Sequence, residues 1–411
     1  MKNCKKKMEN WKTYKLGEVA DVQNGFAFKS TELGEEGIPV IKIKNIVSPN
    51  VILEGAGYYI GEIEAKHEKY ILKRNDFLIS MTGSTVNVMS SAVGKMGKYR
   101  LDDFSLINQR VGKIYITDTE KADFDYVCHF LNRYEINYFL ALNATGSANQ
   151  ANISPAQIKD LDLLLPPIIE QRAIASILST IDDKIEINLQ MNKTLEEMAM
   201  TLYKHWFVDF GPFQEGEFVE SELGMIPKGW EVKRLSSLAN FKNGKGLKNE
   251  SKSPDGQYNL FGSNGVIGKT DDVMFNEPVV AIGRVGANYG EVHYSMCPCW
   301  ISDNAITVQP MNQGYFWWLL QTLRLIDYTQ FVGGSAQPLI TQGAIKEVNC
   351  TVPNMNELIN FSNKLDSLFC QLQNNISENQ TLTTLRDTLL PKLISGEVRV
   401  KEAEKILEEA V

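Results

Sequence analysis

Residues 174–206, IASILSTIDDKIEINLQMNKTLEEMAMTLYKHW, decide how the rest of this 411-residue chain is read. Ile174, Leu178, Ile181, Ile185, Asn188, Asn192, Leu195, Ala199, Leu202 and Trp206 follow one another in alternating steps of four and three. That rhythm makes an a/d seam, the stripe by which one long helix packs against another. A second seam runs near the end of the chain: Phe361, Leu365, Leu368, Leu372, Asn375, Asn379, Leu382, Arg386, Leu389 and Leu393. The pattern predicts helices over about 168–207 and 355–393. Pro166-Pro167 and Pro353 precede them, where proline is tolerated at or before the first turn. At 1.5 Å per residue, 40 residues of helix would be about 60 Å long.

Each seam carries two asparagines near its middle. A seam amide costs stability but selects register and partner, because facing leucine it loses its hydrogen bonds. The matching positions predict an antiparallel pair, with Asn188 near Asn379 and Asn192 near Asn375. The other reading is a seam that opens there and leaves its amides to water.

Outward from the helices, the chain repeats itself. Trp11, Leu16, Asn24 and Gly25 match Trp230, Leu235, Asn243 and Gly244 at a constant offset of 219. Ile153, Ile158, Lys159, Pro166, Asn188, Asn192, Leu195 and Leu202 match Ile340, Ile345, Lys346, Pro353, Asn375, Asn379, Leu382 and Leu389 at 187. The first copy therefore carries 32 more residues between its matched ends. A long period of this kind is the mark of duplicated architecture.

The segments beside the helices read as strands and turns. Ile38–Ile43, Phe77–Ser80, Val111–Ile116, Val279–Ile282 and Ala305–Val308 are the strand-like runs, with helices expected over Phe124–Leu142 and Tyr315–Tyr328. The expected fold class is α+β: two similar α/β domains separated by two long antiparallel coiled-coil helices, a pseudo-two-fold internal repeat. The boundaries expected are 1–155 and 230–345 for the two domains. The first helix and its linker take 156–229, and the second helix and a tail take 346–411.

Net charge is −8, yet most of it lies in the helical segments: −7 for 161–229 and −3 for 346–411, against +2 for 1–160 and 0 for 230–345. The two domains are thus free to present basic faces to nucleic acid. The acidic helix faces suit protein partners and equally suit plain solvation. No apolar run approaches the ~20 residues that span a bilayer, and Lys2 to Lys7 reads as a solvated tail. Six scattered cysteines favour a reducing cytoplasm. Cys297-Pro298-Cys299 lacks the second pair a zinc site needs and reads as buried cysteines on a strand.

Catalytic signals are missing. Gly262-Ser263-Asn264-Gly265-Val266-Ile267-Gly268-Lys269-Thr270 imitates a phosphate loop, but Ser263 stands where the first glycine belongs and no long helix follows. Leu165-Pro166-Pro167-Ile168 lacks the polar and aromatic residues of a methyltransferase tetrad. His67, His129, His205 and His293 lie far apart. The reading is a chain that binds and does not react, with no metal and no cofactor of its own.

Several motifs together resemble the specificity subunits of type I restriction–modification systems. They are Leu165-Pro166-Pro167 with Glu170-Gln171-Arg172-Ala173-Ile174-Ala175, Leu195-Glu196-Glu197-Met198-Ala199, Trp206-Phe207-Val208-Asp209-Phe210 and Ile226-Pro227-Lys228-Gly229-Trp230. Asn24–Lys29, Phe261–Gly265 and Ile282–Gly286 look like loops of that family's recognition domains. The second helix departs from the first motif, reading Val352-Pro353-Asn354-Met355-Asn356-Glu357-Leu358. The resemblance implies a noncatalytic, cytoplasmic subunit with no membrane attachment. Two target recognition domains would each read one half of a split sequence in double-stranded DNA. The helices would space them and dock two methyltransferase subunits, and restriction/translocase subunits would complete the complex. A fused methyltransferase is disfavoured by the missing methyl-donor motif; a stand-alone DNA-binding or coiled-coil scaffold protein is the alternative.

Base edges and phosphates are met by Arg, Lys, Asn, Gln and hydroxyl side chains on loops. The DNA-binding candidates of the first domain are Lys42, Lys44, Asn45, Ser84, Asn108, Gln109 and Arg110, with Ser147 and Gln150 of the loop Thr145–Gln150. Those of the second are Asn243, Lys245, Lys248, Ser263, Asn264, Arg284, Asn288 and Tyr289, with Ser335 and Gln337 of the loop Gly333–Gln337. Any one of them suits a turn or cap as well as a contact. Arg284, between Gly283 and Gly286 after an apolar strand, is favoured most, since glycine lets backbone approach a ligand.

Overall fold

A computed structural model describes residues 10–147, 150–333 and 338–410. Both seams form single helices, Ile168–Phe207 and Met355–Ile394, within a residue of the bounds their periodicity predicts. Glu170 in the first turn and Lys204 and His205 in the last complement the dipole of the first helix. The chain divides into two compact units, and both helices contribute to each. One unit runs to Glu186 and resumes at Glu378; the other is Ile187–Ser377.

In the first unit, the early part of one helix packs antiparallel on the late part of the other. Ile174, Leu178 and Ile181 share a core with Leu382, Leu389 and Leu393. Lys184 meets Glu378 at 3.1 Å, and Asp182 meets Arg386 at 3.0 Å. In the second unit, Ala199, Tyr203 and Phe207 share a core with Phe361, Leu365 and Leu372. Asn375 donates to Asn192 Oδ1 at 2.8 Å, within that unit. Asn379 donates to the carbonyl of Ile185 at 3.2 Å, and Asn188 is fully buried.

Each domain begins and ends on the same small antiparallel pair. Lys12–Lys15 pairs with Asp162–Leu165, Lys12 opposite Leu165. Glu231–Arg234 pairs with Asn349–Val352, Glu231 opposite Val352. These residue pairs differ by 219 and by 187, so the offsets seen in the sequence are sheet registers. They also extend both domains past the expected limits of 155 and 345. A closing strand next to a proline looks like linker in sequence and is claimed for the domain only by its distant partner.

The main sheets correspond as well. Ala20–Asn24, Val111–Ile116, Phe77–Ser80 and Met96–Lys98 lie in the order matched by Ala239–Asn243, Ala305–Pro310, Val279–Gly283 and Val292–Ser295. A second sheet sets Ile38–Ile41 parallel to Ser105–Ile107, and Tyr258–Gly262 parallel to Cys299–Ile301. Much of the first copy's surplus lies beside these strands. It comprises the hairpin Ile46–Val47/Asn50–Val51, the strand Ile71–Leu72 and the 3-10 segment Val86–Ser91.

Three expectations change. The helix expected over Phe124–Leu142 is two, Phe124–Leu131 and Tyr134–Leu142, broken at Asn132-Arg133. Of the cysteine pair, Cys299 is buried on its strand, but Cys297 is exposed before it. The tail forms a helix, Val400–Ala410, that buries Ala403 and ties Arg399 to Glu170 at 2.9 Å. The phosphate-loop imitation is a hairpin, Tyr258–Gly262 with Gly265–Thr270, turning at Ser263-Asn264. Among the described residues no helix is long and apolar enough to cross a membrane, and no cluster of His, Cys, Asp and Glu could hold a metal ion.

Candidate nucleic-acid interface

In both domains the candidate residues gather where the strands of the main sheet give way to loops. Gly25 and Gly244 set the geometry. A Cβ on Gly25 would stand 2.1 Å from the carbonyl oxygen of Asn108, and one on Gly244 would stand 2.1 Å from that of Ser302. Only glycine lets the backbones approach this closely. The hydrogen bonds around them also repeat. Gly25 N–H donates to Val111 O and Phe26 N–H to Ile107 O; Gly244 donates to Ala305 O and Lys245 to Ile301 O.

The loop Asn108-Gln109-Arg110 thus corresponds to Ser302-Asp303-Asn304. Gln109 and Arg110 are exposed. Arg110 Nη1 donates to Asn152 Oδ1 at 3.2 Å, and Thr82 donates to the same oxygen at 2.9 Å. The strand Gln150–Asn152 pairs with Thr82-Gly83 on one side and with Thr145–Ser147 on the other. Gln150, Arg110 and the Thr82-Gly83 strand leading to Ser84 therefore lie about one three-stranded sheet. The Ser84 hydroxyl shares a hydrogen bond of 2.8 Å with Ser91. Lys42 caps the 3-10 turn Ile43–Asn45, and Lys44 lies within it.

Asn45 does not belong to this surface. It is fully buried, accepts from Lys42 N–H at 2.9 Å and donates to Glu54 O at 3.0 Å. Its amide holds the turn that presents the two lysines, so its place in a contact list is corrected to a positioning role.

In the second domain Arg284 occupies the frame position of buried Met81. Arg284 N–H donates to Asn304 O as Met81 N–H donates to Arg110 O, and Ile340 N–H donates to Arg284 O as Ile153 N–H does to Met81 O. Its guanidinium reaches the carbonyl of Asp303 at 3.3 Å, while Nε is buried with no hydrogen-bond partner among the described residues. Ser263 donates to Asn304 O at 2.6 Å, which ties a third candidate to the same loop. A Cβ on Gly283 would stand 2.2 Å from Asn288 O and 2.4 Å from Ser263 O, which draws these segments together.

Asn243, at the end of its strand, and Lys245, Lys248 and Asn264, on neighbouring loops, are exposed. Asn288 donates to Glu291 at 3.0 Å, and Tyr289 packs on the core, so both have structural work. Ser335 and Gln337 lie outside the described residues, and of Ser147 only its strand is described. The residues the sequence reading missed are Thr82, Asn152, Asp303 and Asn304. They carry no motif; only the two sheet registers, laid over one another, bring them to notice.

A separate polar cluster lies in the first unit. His129 is nearly fully buried, shares a hydrogen bond of 3.1 Å with Ser179 and stands 3.8 Å from Asp182. Burial pushes its pKa down to about 4, against the pull of Asp182. The cluster fastens the helix Phe124–Leu131 to the long helices of that unit.

Comparison with known proteins covers nearly the whole chain. The family described as the type I restriction modification DNA specificity domain matches residues 8–197 and again 227–383. The MjaIX specificity subunit of Methanocaldococcus jannaschii is 25% identical, over 96% of this chain and 95% of its own length. The HindI specificity subunit of Haemophilus influenzae is 23% identical, over 95% of this chain and all of its own. Among solved structures, the S subunit from M. genitalium superposes with a TM-score of 0.54 at 18% identity. It covers 93% of this chain and 96% of its own, a likeness of fold.

Proposed function

Because the chain belongs to the type I restriction–modification DNA specificity family, we propose that it reads a bipartite, asymmetric target in double-stranded DNA, one half with each domain. In this reading it is the noncatalytic, cytoplasmic member of a larger enzyme, without a cofactor of its own. It docks methyltransferase (modification) subunits, two by the logic of its repeat, and restriction/translocase subunits. The long helices present the acidic surfaces for those protein partners.

One observation carries the bipartite reading. The two domains repeat a backbone frame bond for bond and place different side chains on it: Asn108-Gln109-Arg110 against Ser302-Asp303-Asn304, and Met81 against Arg284. A shared frame holds two loops at equivalent places on two duplex segments. Different side chains on it discriminate different base edges.

The test is a domain exchange. Residues 12–165, closing strand included, are replaced by the corresponding domain of a relative, and methylated adenines are mapped in cells that carry the partner subunits. The expected outcome is a target changed in one half alone. A target altered in both halves would overturn the reading.

A further inference from the structure

The first domain carries a pocket beside its candidate loops. It has a volume of about 400 Å³ and lies between the Lys42–Asn45 turn, the hairpin that follows it and the segment Val86–Ser91. Lys44, Val47, Thr82, Ser90, Ser91 and Lys95 line it, and no carboxylate does. The ammonium of Lys44 lies over Gly55, 2.8 Å from where a Cβ would stand. Lys95 donates to the carbonyl of Ser90, and its own backbone N–H donates to the buried hydroxyl of Ser80 at 3.0 Å.

The pocket's cations lack the counter-charge that several others in the domain have: Lys98 pairs with Asp125 and Arg100 with Asp183 at 2.6 Å, Lys113 with Asp76 at 2.7 Å. Among the described residues neither Lys44 nor Lys95 has a carboxylate within ion-pairing distance. Two lysines without a paired carboxylate thus line one hollow of a chain whose net charge is −8. The pocket also abuts the candidate reading loops. Thr82, on its wall, shares Asn152 Oδ1 with Arg110.

We propose that this pocket grips a phosphodiester group of the DNA lying over the first domain, through the ammonium groups of Lys44 and Lys95 and the hydroxyls of Ser90 and Ser91. An ammonium is a compact point donor, suited to a tetrahedral oxyanion and poor at bidentate base recognition. Apolar walls at Ile43, Ile46 and Val47 reduce the screening of that attraction. Two segments that build the pocket, the hairpin after Asn45 and Val86–Ser91, are surplus in the first copy, and between Gly283 and Val292 the second copy has only the short 3-10 turn Gly286–Asn288. The first half-site is therefore anchored by its backbone as well as read, and the second has no equivalent anchor. This inference rests on the DNA-reading function above.

The test uses the full chain with its methyltransferase partners and measures duplex binding across a salt series. In the double variant Lys44→Ala/Lys95→Met, the slope of log affinity against log salt becomes shallower by about 1.8, since each lost phosphate contact removes about 0.9. Affinity at low salt falls about tenfold or more for target and scrambled duplexes alike, leaving their ratio unchanged. Lys44→Arg/Lys95→Arg keeps the parent slope. Independently of any variant, ethylation of single phosphates blocks binding by the unaltered protein at a position in the first half-site that has no counterpart in the second. An unchanged slope, a loss confined to one base pair, or no such phosphate would each overturn the proposal. An unaltered complex that binds no DNA would overturn the underlying function and this inference with it.

Discussion

In the first domain the loop before Val111 is held by Gly25 lying against Asn108; in the second, the loop before Ala305 is held by Gly244 lying against Ser302. Around these matched points the contents diverge. Met81 is buried where Arg284 extends a guanidinium, and the first copy adds a hairpin and a 3-10 segment where the second makes a short turn. The packing on the long helices diverges too. The first unit places a polar cluster there, His129, Asp182 and Arg386. The second sets Phe207 edge-on against Phe361 at 4.7 Å and stacks Trp317 on Phe369 at 3.8 Å. Duplication has preserved what backbone sterics require and left free what side chains supply.

The largest effect expected from this comparison is at the shared frame. Gly25→Ala and Gly244→Ala each drive a Cβ into a backbone carbonyl, which cannot rotate away as a side chain could. Each should destabilise its own domain by about 3 kcal/mol. Denaturant melts followed by a probe placed in each domain check this; equal loosening of both domains by either change would break the modular comparison.

Acid should then separate the units. His129 is held at about 4 by burial, below the ~6.5 of an unfolded chain. The unfolded state therefore takes up the proton first as pH falls. Stability from this group is complete above about pH 6.5 and is lost between there and pH 4, by about 3 kcal/mol. The matching helix of the second unit buries Gln321 and Thr322, which do not titrate. His129→Gln should remove the histidine's share of the first unit's acid sensitivity, the part lost between about pH 6.5 and pH 4, as read by melting at a series of pH values. A parent protein whose first unit is equally stable at pH 7 and pH 4 would refute the assignment.

The asparagine layer offers a smaller and more selective effect. Asn375→Leu leaves the amide of Asn192 without its 2.8 Å donor and should cost about 2 kcal/mol. Adding Asn192→Leu should recover part of that loss, because two leucines satisfy each other at a seam. A double mutant as unstable as the sum of the singles would show that the two amides are not coupled.

Smallest of all is the difference at Arg284. Its truncation should weaken recognition of the second half-site alone, by about 1 kcal/mol, the low end for a lost base contact, since Asp303 already engages part of the guanidinium. Affinities for duplexes altered in one half at a time check this, and a loss of equal size for both halves would remove Arg284 from the reading loops.

Much of this protein was determined by local rules that a sequence displays directly. The four-and-three rhythm predicted both long helices because helical side chains recur on one face whatever lies opposite. The offsets of 219 and 187 predicted two copies because the same strands need the same partners. The tertiary structure alone decided matters that depend on distant segments. Strands Asp162–Leu165 and Asn349–Val352 belong to the domains because strands about 150 and 118 residues earlier complete their hydrogen bonds. Asn45 turned inward because its amide finds Lys42 and Glu54, a choice between contact and turn that its identity does not make. Asp303, Asn304 and Asn152 entered the candidate surface, and Lys95 the pocket, because two loops close in space were far apart in chain. Periodicity reports how a residue faces its own element; which residue lies across from it is settled only when the chain closes on itself.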